Sequence, residues 1–302
     1  MESTFWGYTI WYILLAATSA AAVAVLLRHT RERRKTLAFW LAVLGFTYFL
    51  EIWVMLVLRA YIYHPMFVAD EFFDAVLGNV FSQVSVSSSA VLICVLGLSN
   101  WWLGGFSAAY FLIDLWYSHL GAYQHFWYRS VYTLAGFFIY GLIVRRWYKK
   151  FFCGPPSKLL YVPTHFLSAW AVSGNVFGTF FRLIVLRVFQ SGLYDDPSED
   201  HTATGIIYSP VMVIIMMALY KWRRPWWYRL PVFLLLLACQ FWLYHLGVMI
   251  TPPGWHLPVA LLDLAGYYGL TVLLDRQLKS GKNTPPLPQN QSAHRPRRLG
   301  AN

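Results

Sequence analysis

The stretch FWGYTIWYILLAATSAAAVAVLLRHTRERRK, residues 5–35, decides how the rest of the chain is read. From Phe5 to Leu27 it holds no charged side chain, and crossing a hydrocarbon core takes about 20 apolar residues in a helix. Five basic residues follow, Arg28, Arg31, Arg33, Arg34 and Lys35, and none precedes, since Glu2 is acidic. A secretory signal has the reverse order, with positive charge ahead of a shorter apolar core. The order therefore predicts a retained transmembrane helix with its N-terminus outside.

Eight further apolar segments follow, at 37–58, 75–97, 101–120, 127–144, 159–181, 205–220, 230–250 and 255–274. Alternating them across a bilayer gives a charge map. Residues 28–35, 145–158, 221–229 and the tail from Arg276 fall inside and carry 20 of the 24 lysines and arginines. Eight of the 13 acids fall outside, among them Asp70, Glu71, Asp74, Asp195, Asp196, Glu199 and Asp200. This is the positive-inside pattern, and eight or ten helices would break it. Composition agrees: 58% of residues are hydrophobic and only 12% charged, about half the charged share of a soluble domain. The formal charge of +11 lies in short clusters between apolar runs, so it sets topology and does not form the basic face of a nucleic-acid binder. Cys94, Cys153 and Cys239 have no metal spacing and predict no disulfide framework.

Four short matches recur in order along the chain. Val57-Leu58-Arg59 returns as Val185-Leu186-Arg187, at an offset of 128. Gly78 to Ser82 resembles Gly205 to Ser209, at 127, and Trp116 to Gly121 resembles Trp242 to Gly247, at 126. Leu134 to Phe138 resembles Leu264 to Tyr268, at 130. The expected fold class is thus an all-α integral membrane protein of about nine transmembrane helices, one plus two parallel four-helix repeats. Its parts are 1–36, a first helix and basic loop; 37–158 and 159–278, the two repeats; and 279–302, a disordered cytoplasmic tail rich in Pro, Asn, Gln and Arg. Within the tail, Pro285-Pro286-Leu287-Pro288 reads as solvated chain or a polyproline II ligand.

The run Tyr63-His64-Pro65 through Asp74, with Leu77-Gly78 and Phe81-Ser82-Gln83, resembles a family of small multi-pass membrane proteins of Gram-positive, spore-forming bacteria. The resemblance covers mainly helices 2–5, about a third of the chain. Its members resemble one copy of the repeat, and it implies a bacterial cell membrane but no activity.

Ionisable groups cost about 2.5–3.5 kcal/mol each in a bilayer on insertion scales and mark a functional interior by default. The candidates are Glu51, Asp114, His119, Arg182, His245, His256 and Asp263, which the topology places in the outer half; His165 alone lies near the inner side. They are expected to bind a small polar or cationic solute, or protons, in a cavity open to the outside. Three finer expectations accompany them. Glu51 either joins Asp114 or pairs with Arg182. His119 and His245 occupy equivalent positions and face each other across the pseudo-twofold axis. Thr133 aligns with Asp263. On helix 3, Asn79, Ser82, Gln83 and Ser87 form a polar stripe that either lines a path or bonds neighbouring helices, and Gly174 to Gly178 fits a GxxxG packing motif.

No metal and no cofactor is expected. GxSxG, HExxH, Walker and dinucleotide motifs are missing, and the loops are too short for a catalytic domain. The expected partners are the lipid bilayer and a small solute or ion. The leading reading is a transporter-like protein. A membrane-embedded enzyme acting on a lipid or envelope precursor, and a non-catalytic structural, sensory or assembly component, are the alternatives.

Overall fold

A computed structural model describes residues 5–280. Among these, the chain forms nine helices, one at each expected apolar stretch: α1 Phe5–His29, α2 Arg33–Val57, α3 Glu71–Val95, α4 Asn100–Leu120, α5 Ser130–Phe152, α6 158–183, α7 Pro197–Lys221, α8 Trp226–His245 and α9 His256–Lys279. By length and composition, α1, α2, α3, α7, α8 and α9 suit a membrane crossing. The protein is all-α, and its surface is what lipid demands. Leu234, Leu235 and Trp242 on α8 face outward, while Ser87, Ser88, Gln83, His165, Asp114 and Asp263 are buried. Backbone polar groups in hydrocarbon must be satisfied internally, which helices do by themselves. The expected disordered tail lies outside the described residues, apart from its first two positions; α9 runs through the first of these, Lys279.

Several helices overrun the expected spans. Helix α7 begins at Pro197 and not near 205, because Asp196 accepts from the Ser198 and Glu199 amides and Pro197 fits the first turn. Hydropathy follows only the apolar middle of a helix, so capped polar turns escape it.

Two short antiparallel pairs tie the connections together. Strand β1, Tyr61–Tyr63, pairs with β2, Tyr123–His125, and β3, Val188–Phe189, pairs with β4, Met249–Ile250. Each pairing joins the connection before α3 or α7 to the one after α4 or α8, so those connections share one end of the bundle. The two pairs lie at the same end, because Arg59 meets Glu199 at 2.7 Å and Arg182 meets Asp70 at 3.4 Å. The start of α1 is there too, since Thr9 donates to the Pro65 carbonyl and Tyr12 to that of Ala122.

The local geometry of the two halves recurs 126 residues apart. Asp70 and Asp196 both cap helices. Asp74 accepts from the amides of residues 66–68, as Asp200 does from those of residues 191–193. Left-handed backbone occurs at Arg59 and Val185, at Met66 and Gly192, and at Gly121 and Gly247. At Val185 this conformation is costly, because a branched side chain crowds it. Helices α5 and α9 also start 126 apart. The 130-residue match of Leu134–Phe138 with Leu264–Tyr268 is therefore displaced by one helical turn, which keeps the same face. In this frame Asp263 corresponds to Phe137, and Thr133 is not its counterpart.

In each half the third helix of the set packs on the fourth and the second on the fourth: α4 and α3 on α5, α8 and α7 on α9. The halves meet chiefly along α2 and α6. The approach is close at Gly45, where a Cβ would run into the Leu167 carbonyl. The end of α2, Ile52–Val57, and the segment Gly174–Phe180 of α6 are both wound as π-helix.

Candidate functional site

Beneath the β1–β2 pair lies a cavity of about 220 Å³ enclosed by α1 to α5. Its position follows from the alternation in Tyr61-Ile62-Tyr63, which sends both tyrosines inward, where they are buried. Tyr63 stacks on Tyr123 at 4.7 Å, and Tyr61 meets Tyr123 and Tyr128 edge-on, each at 4.9 Å. Nine tyrosines line the cavity in all, and its only charged lining residues are Glu51 and Asp114.

Both carboxylates are held by neutral donors. Glu51, at the end of the regular part of α2, accepts from the Tyr61 hydroxyl and from the Gln83 amide, each at 2.7 Å. Asp114, buried on α4, accepts from Ser130 and from Thr133 Oγ1, the latter at 2.6 Å. His125 Nε2 lies 3.3 Å from Asp114 Oδ1 and 3.4 Å from Ser118 Oγ. Among the described residues neither acid forms an ion pair with a lysine or an arginine.

The second half solves the same problem differently. Asp263, fully buried on α9, accepts from Arg187 Nη1 at 2.6 Å, from the Tyr208 hydroxyl at 2.6 Å and from Gln240 Nε2 at 3.2 Å. Arg187 also donates to the Phe177 carbonyl. Its guanidinium carbon sits 4.9 Å from the Phe189 ring, 5.2 Å from Tyr208 and 5.5 Å from Phe181, within cation–π range. Burial alone would pull this guanidinium down, but the Asp263 carboxylate more than offsets that and pushes it above its ordinary value.

A second cavity, of about 150 Å³, lies between the halves against α2, α3, α6 and α7. Both π-helical segments form its wall, and Glu51, Asn79, Asn175, Arg187 and Tyr208 bring the polar groups. Glu51 borders both cavities.

The expected residues thus separate into groups. Glu51 and Asp114 come together. Asp263 stands apart with Arg187. Glu51 does not pair with Arg182, which instead bonds Asp70 and Ser198 and covers the Phe73 ring, because the end of α6 reaches the starts of α3 and α7. His119 and His245 are exposed on α4 and α8, beside Trp116 and Tyr244. Both are turned outward on their helices, and neither lines either cavity. His256 is buried between Phe241 at 4.4 Å and Tyr244 at 4.1 Å, and both ring nitrogens lack a hydrogen-bond partner. At the opposite end His165 Nε2 donates to the Thr271 carbonyl at 2.8 Å, and its Nδ1 lies 3.8 Å from Asp275.

The polar stripe of α3 both bonds its neighbours and lines the cavities. Ser87 meets Thr47 and Gln83 donates to Glu51, both on α2, while Ser82 accepts from Tyr63 of β1 and Gln83 also donates to Asn79 on the same helix. Asn79, Ser82 and Gln83 line the cavities. The GxxxG glycines line the second cavity and do not seat a neighbouring backbone: the atom nearest a Cβ at Gly174 would be 4.0 Å away, and Gly178 faces open space.

Sequence reasoning missed Arg187, His125, Gln240 and the tyrosines. Arg187 falls between apolar runs and reads as loop, although it ends the Val-Leu-Arg match. For the tyrosines, the Tyr61-Ile62-Tyr63 alternation is the available signal. The chain matches no protein-family model, no curated protein and no solved structure.

Proposed function

We propose that this is a transporter-like membrane protein that takes up a small cationic solute, or protons, in the cavity beneath β1–β2. The observation that carries this reading is that Glu51 and Asp114 line one tyrosine-rich cavity that no lysine or arginine lines among the described residues, with His125 beside Asp114 as the nearest basic side chain. A buried carboxylate without a fixed cation is costly in a low-dielectric interior, and a mobile cation or proton relieves that cost. Asp263 fits the other role. Arg187 already neutralises it, so that pair holds the second half together.

The full architecture is nine crossings, built as one helix followed by two parallel four-helix repeats. Strand pairing supports the crossings by α4, α5 and α6. Helix α3 leaves the β-paired end and, at 25 residues, is about 37 Å long at 1.5 Å per residue; α4 has to return over that distance for β2 to meet β1. Between β2 and β3, α5 and α6 go out and back in the same way. The resemblance of helices 2–5 to single-copy membrane proteins is what duplication of a bacterial four-helix unit leaves behind.

The β-paired end faces outside in this reading, because basic residues collect at the other end: Arg33 to Lys35, Lys149, Lys150, Lys221 and Lys279. Cys153, exposed after α5, then faces the cytoplasm. In a C94S/C239S background an impermeant maleimide is expected to label it only after the membrane is opened. Labelling of sealed cells would reverse the orientation.

Transport is tested in proteoliposomes under imposed proton and cation gradients. Glu51→Gln and Asp114→Asn are each expected to lower flux at least about tenfold, equivalent to about 1.4 kcal/mol, with the protein still eluting as a single folded species. Undiminished flux in both variants would remove the cavity from the mechanism.

A further inference from the structure

The second half shows what the frame of this protein does with a buried organic cation. Arg187 lies 126 residues after Tyr61, Phe189 after Tyr63, Tyr208 after Ser82 and Gln240 after Asp114. In that frame a guanidinium rests among three aromatic rings and donates to a carboxylate. In the first half position 61 opens strand β1 two residues after the left-handed Arg59, as Arg187 directly precedes β3 two residues after the left-handed Val185, but it carries Tyr61. Of the three ring positions only that of Phe189 keeps an aromatic residue, Tyr63, since Phe181 and Tyr208 correspond to Met55 and Ser82. The cavity instead presents Tyr61, Tyr63, Tyr123 and Tyr128 together with the carboxylates of Glu51 and Asp114, with open volume between them.

We propose that the cavity beneath β1–β2 binds the guanidinium head of a small organic molecule between Glu51, Asp114 and the tyrosine faces, as the second half holds the guanidinium of Arg187. The proposal rests on the reading of this cavity as a cation site and names its ligand class. Two physical preferences select guanidinium. Its planar fork donates to carboxylates in pairs, which a quaternary ammonium cannot do. It is also weakly hydrated and gains from aromatic faces, whereas a small alkali ion stays with oxygen and water.

The test is equilibrium binding to the purified full chain in detergent, followed by calorimetry with methylguanidinium, tetramethylammonium and potassium chlorides. Methylguanidinium is expected to bind at least about tenfold more tightly than either comparison cation, a difference of about 1.4 kcal/mol. Glu51→Gln and Asp114→Asn are each expected to weaken it by a similar factor. Tyr128→Leu is expected to weaken it while Tyr128→Phe, which keeps the aromatic face, does not. Equal affinity for the three cations, no binding, or binding indifferent to both carboxylate substitutions would overturn the proposal. Failure here is separable from failure of the transport reading. Proton or potassium flux without methylguanidinium binding sinks this ligand and leaves transport. Methylguanidinium binding without flux of any cation does the reverse.

Discussion

Arg187→Ala is expected to destabilise the protein by about 3–5 kcal/mol, the range for removing one partner of a buried ion pair. The cost arises from what stays behind. Asp263 is fully buried on α9, and without the guanidinium it keeps only the neutral donors of Tyr208 and Gln240. The Phe177 carbonyl loses its donor as well, and the rings of Phe181, Phe189 and Tyr208 close on a cavity. Asp263→Ala is expected to cost a similar amount from the opposite side, by stranding a buried cation. In the double variant the two losses overlap, so its cost should fall well below their sum; groups in contact are rarely additive. Arg187→Lys keeps the charge but not the fork that reaches both Asp263 and Phe177, and should fall between. Denaturant unfolding in detergent, followed by tryptophan fluorescence, measures all four. Single variants within about 1 kcal/mol of the parent, or strict additivity, would show that the pair contributes little to the fold.

The two halves carry different polar groups at positions 126 residues apart, Tyr61 against Arg187 and Asp114 against Gln240. Inward-facing tyrosines or phenylalanines, a capped helix after the first strand of each pair and a strand clasp occur in both halves, with different polar residues at corresponding points. In the second half the cation is part of the chain, at Arg187, and the region is packed around it. In the first half Tyr61 stands there, and the carboxylates Glu51 and Asp114 face a cavity. Among the described residues the second half supplies both members of a buried ion pair, Arg187 and Asp263, whereas the first supplies two carboxylates with no lysine or arginine against them.

Helix positions and buried acids were legible in the sequence because lipid imposes them. Apolar runs located nine helices, and Glu51, Asp114 and Asp263, singled out by their cost in a bilayer, are each held by hydrogen-bond donors. Which partner each takes was not legible. The Arg187–Asp263 contact spans 76 residues and the Gln83–Glu51 bond spans 32, and hydropathy says nothing about rotation of one helix against another. His119 and His245 were picked for depth, yet depth does not distinguish the inward face of a helix from the outward one. The strand pairs were too short to register as strands at all. Four matches at offsets of 126 to 130 were visible, whereas the caps, left-handed turns and helix starts recur at 126, a spacing that sets Asp263 against Phe137.

Asp74→Ala and Asp200→Ala are expected to cost about 2–4 kcal/mol each, because each carboxylate serves three consecutive backbone amides and charged hydrogen bonds contribute about 1.5–3 kcal/mol apiece before losses overlap. Asp74 accepts from Met66, Phe67 and Val68 at 2.8, 2.7 and 3.1 Å. Asp200 accepts from Ser191, Gly192 and Leu193 at 2.6, 3.0 and 2.9 Å, and from the Ser191 hydroxyl at 2.8 Å. Each sits in the first turns of its helix, where exposed amides favour a negative charge. Each fixes the loop that follows a strand of the clasp, so its loss should release local order before the helices separate. Amide exchange is therefore expected to rise at 66–68 in the first variant and at 191–193 in the second, with little crossover. The two sites lie in separate halves with no shared partner, so their costs should add within about 0.5 kcal/mol. Asn is a poor substitute at both, since turning its amide toward the loop sets donor against donor. Exchange at these loops unchanged in both variants would mean that the turn geometry, with its left-handed residues Met66 and Gly192, holds without the carboxylates.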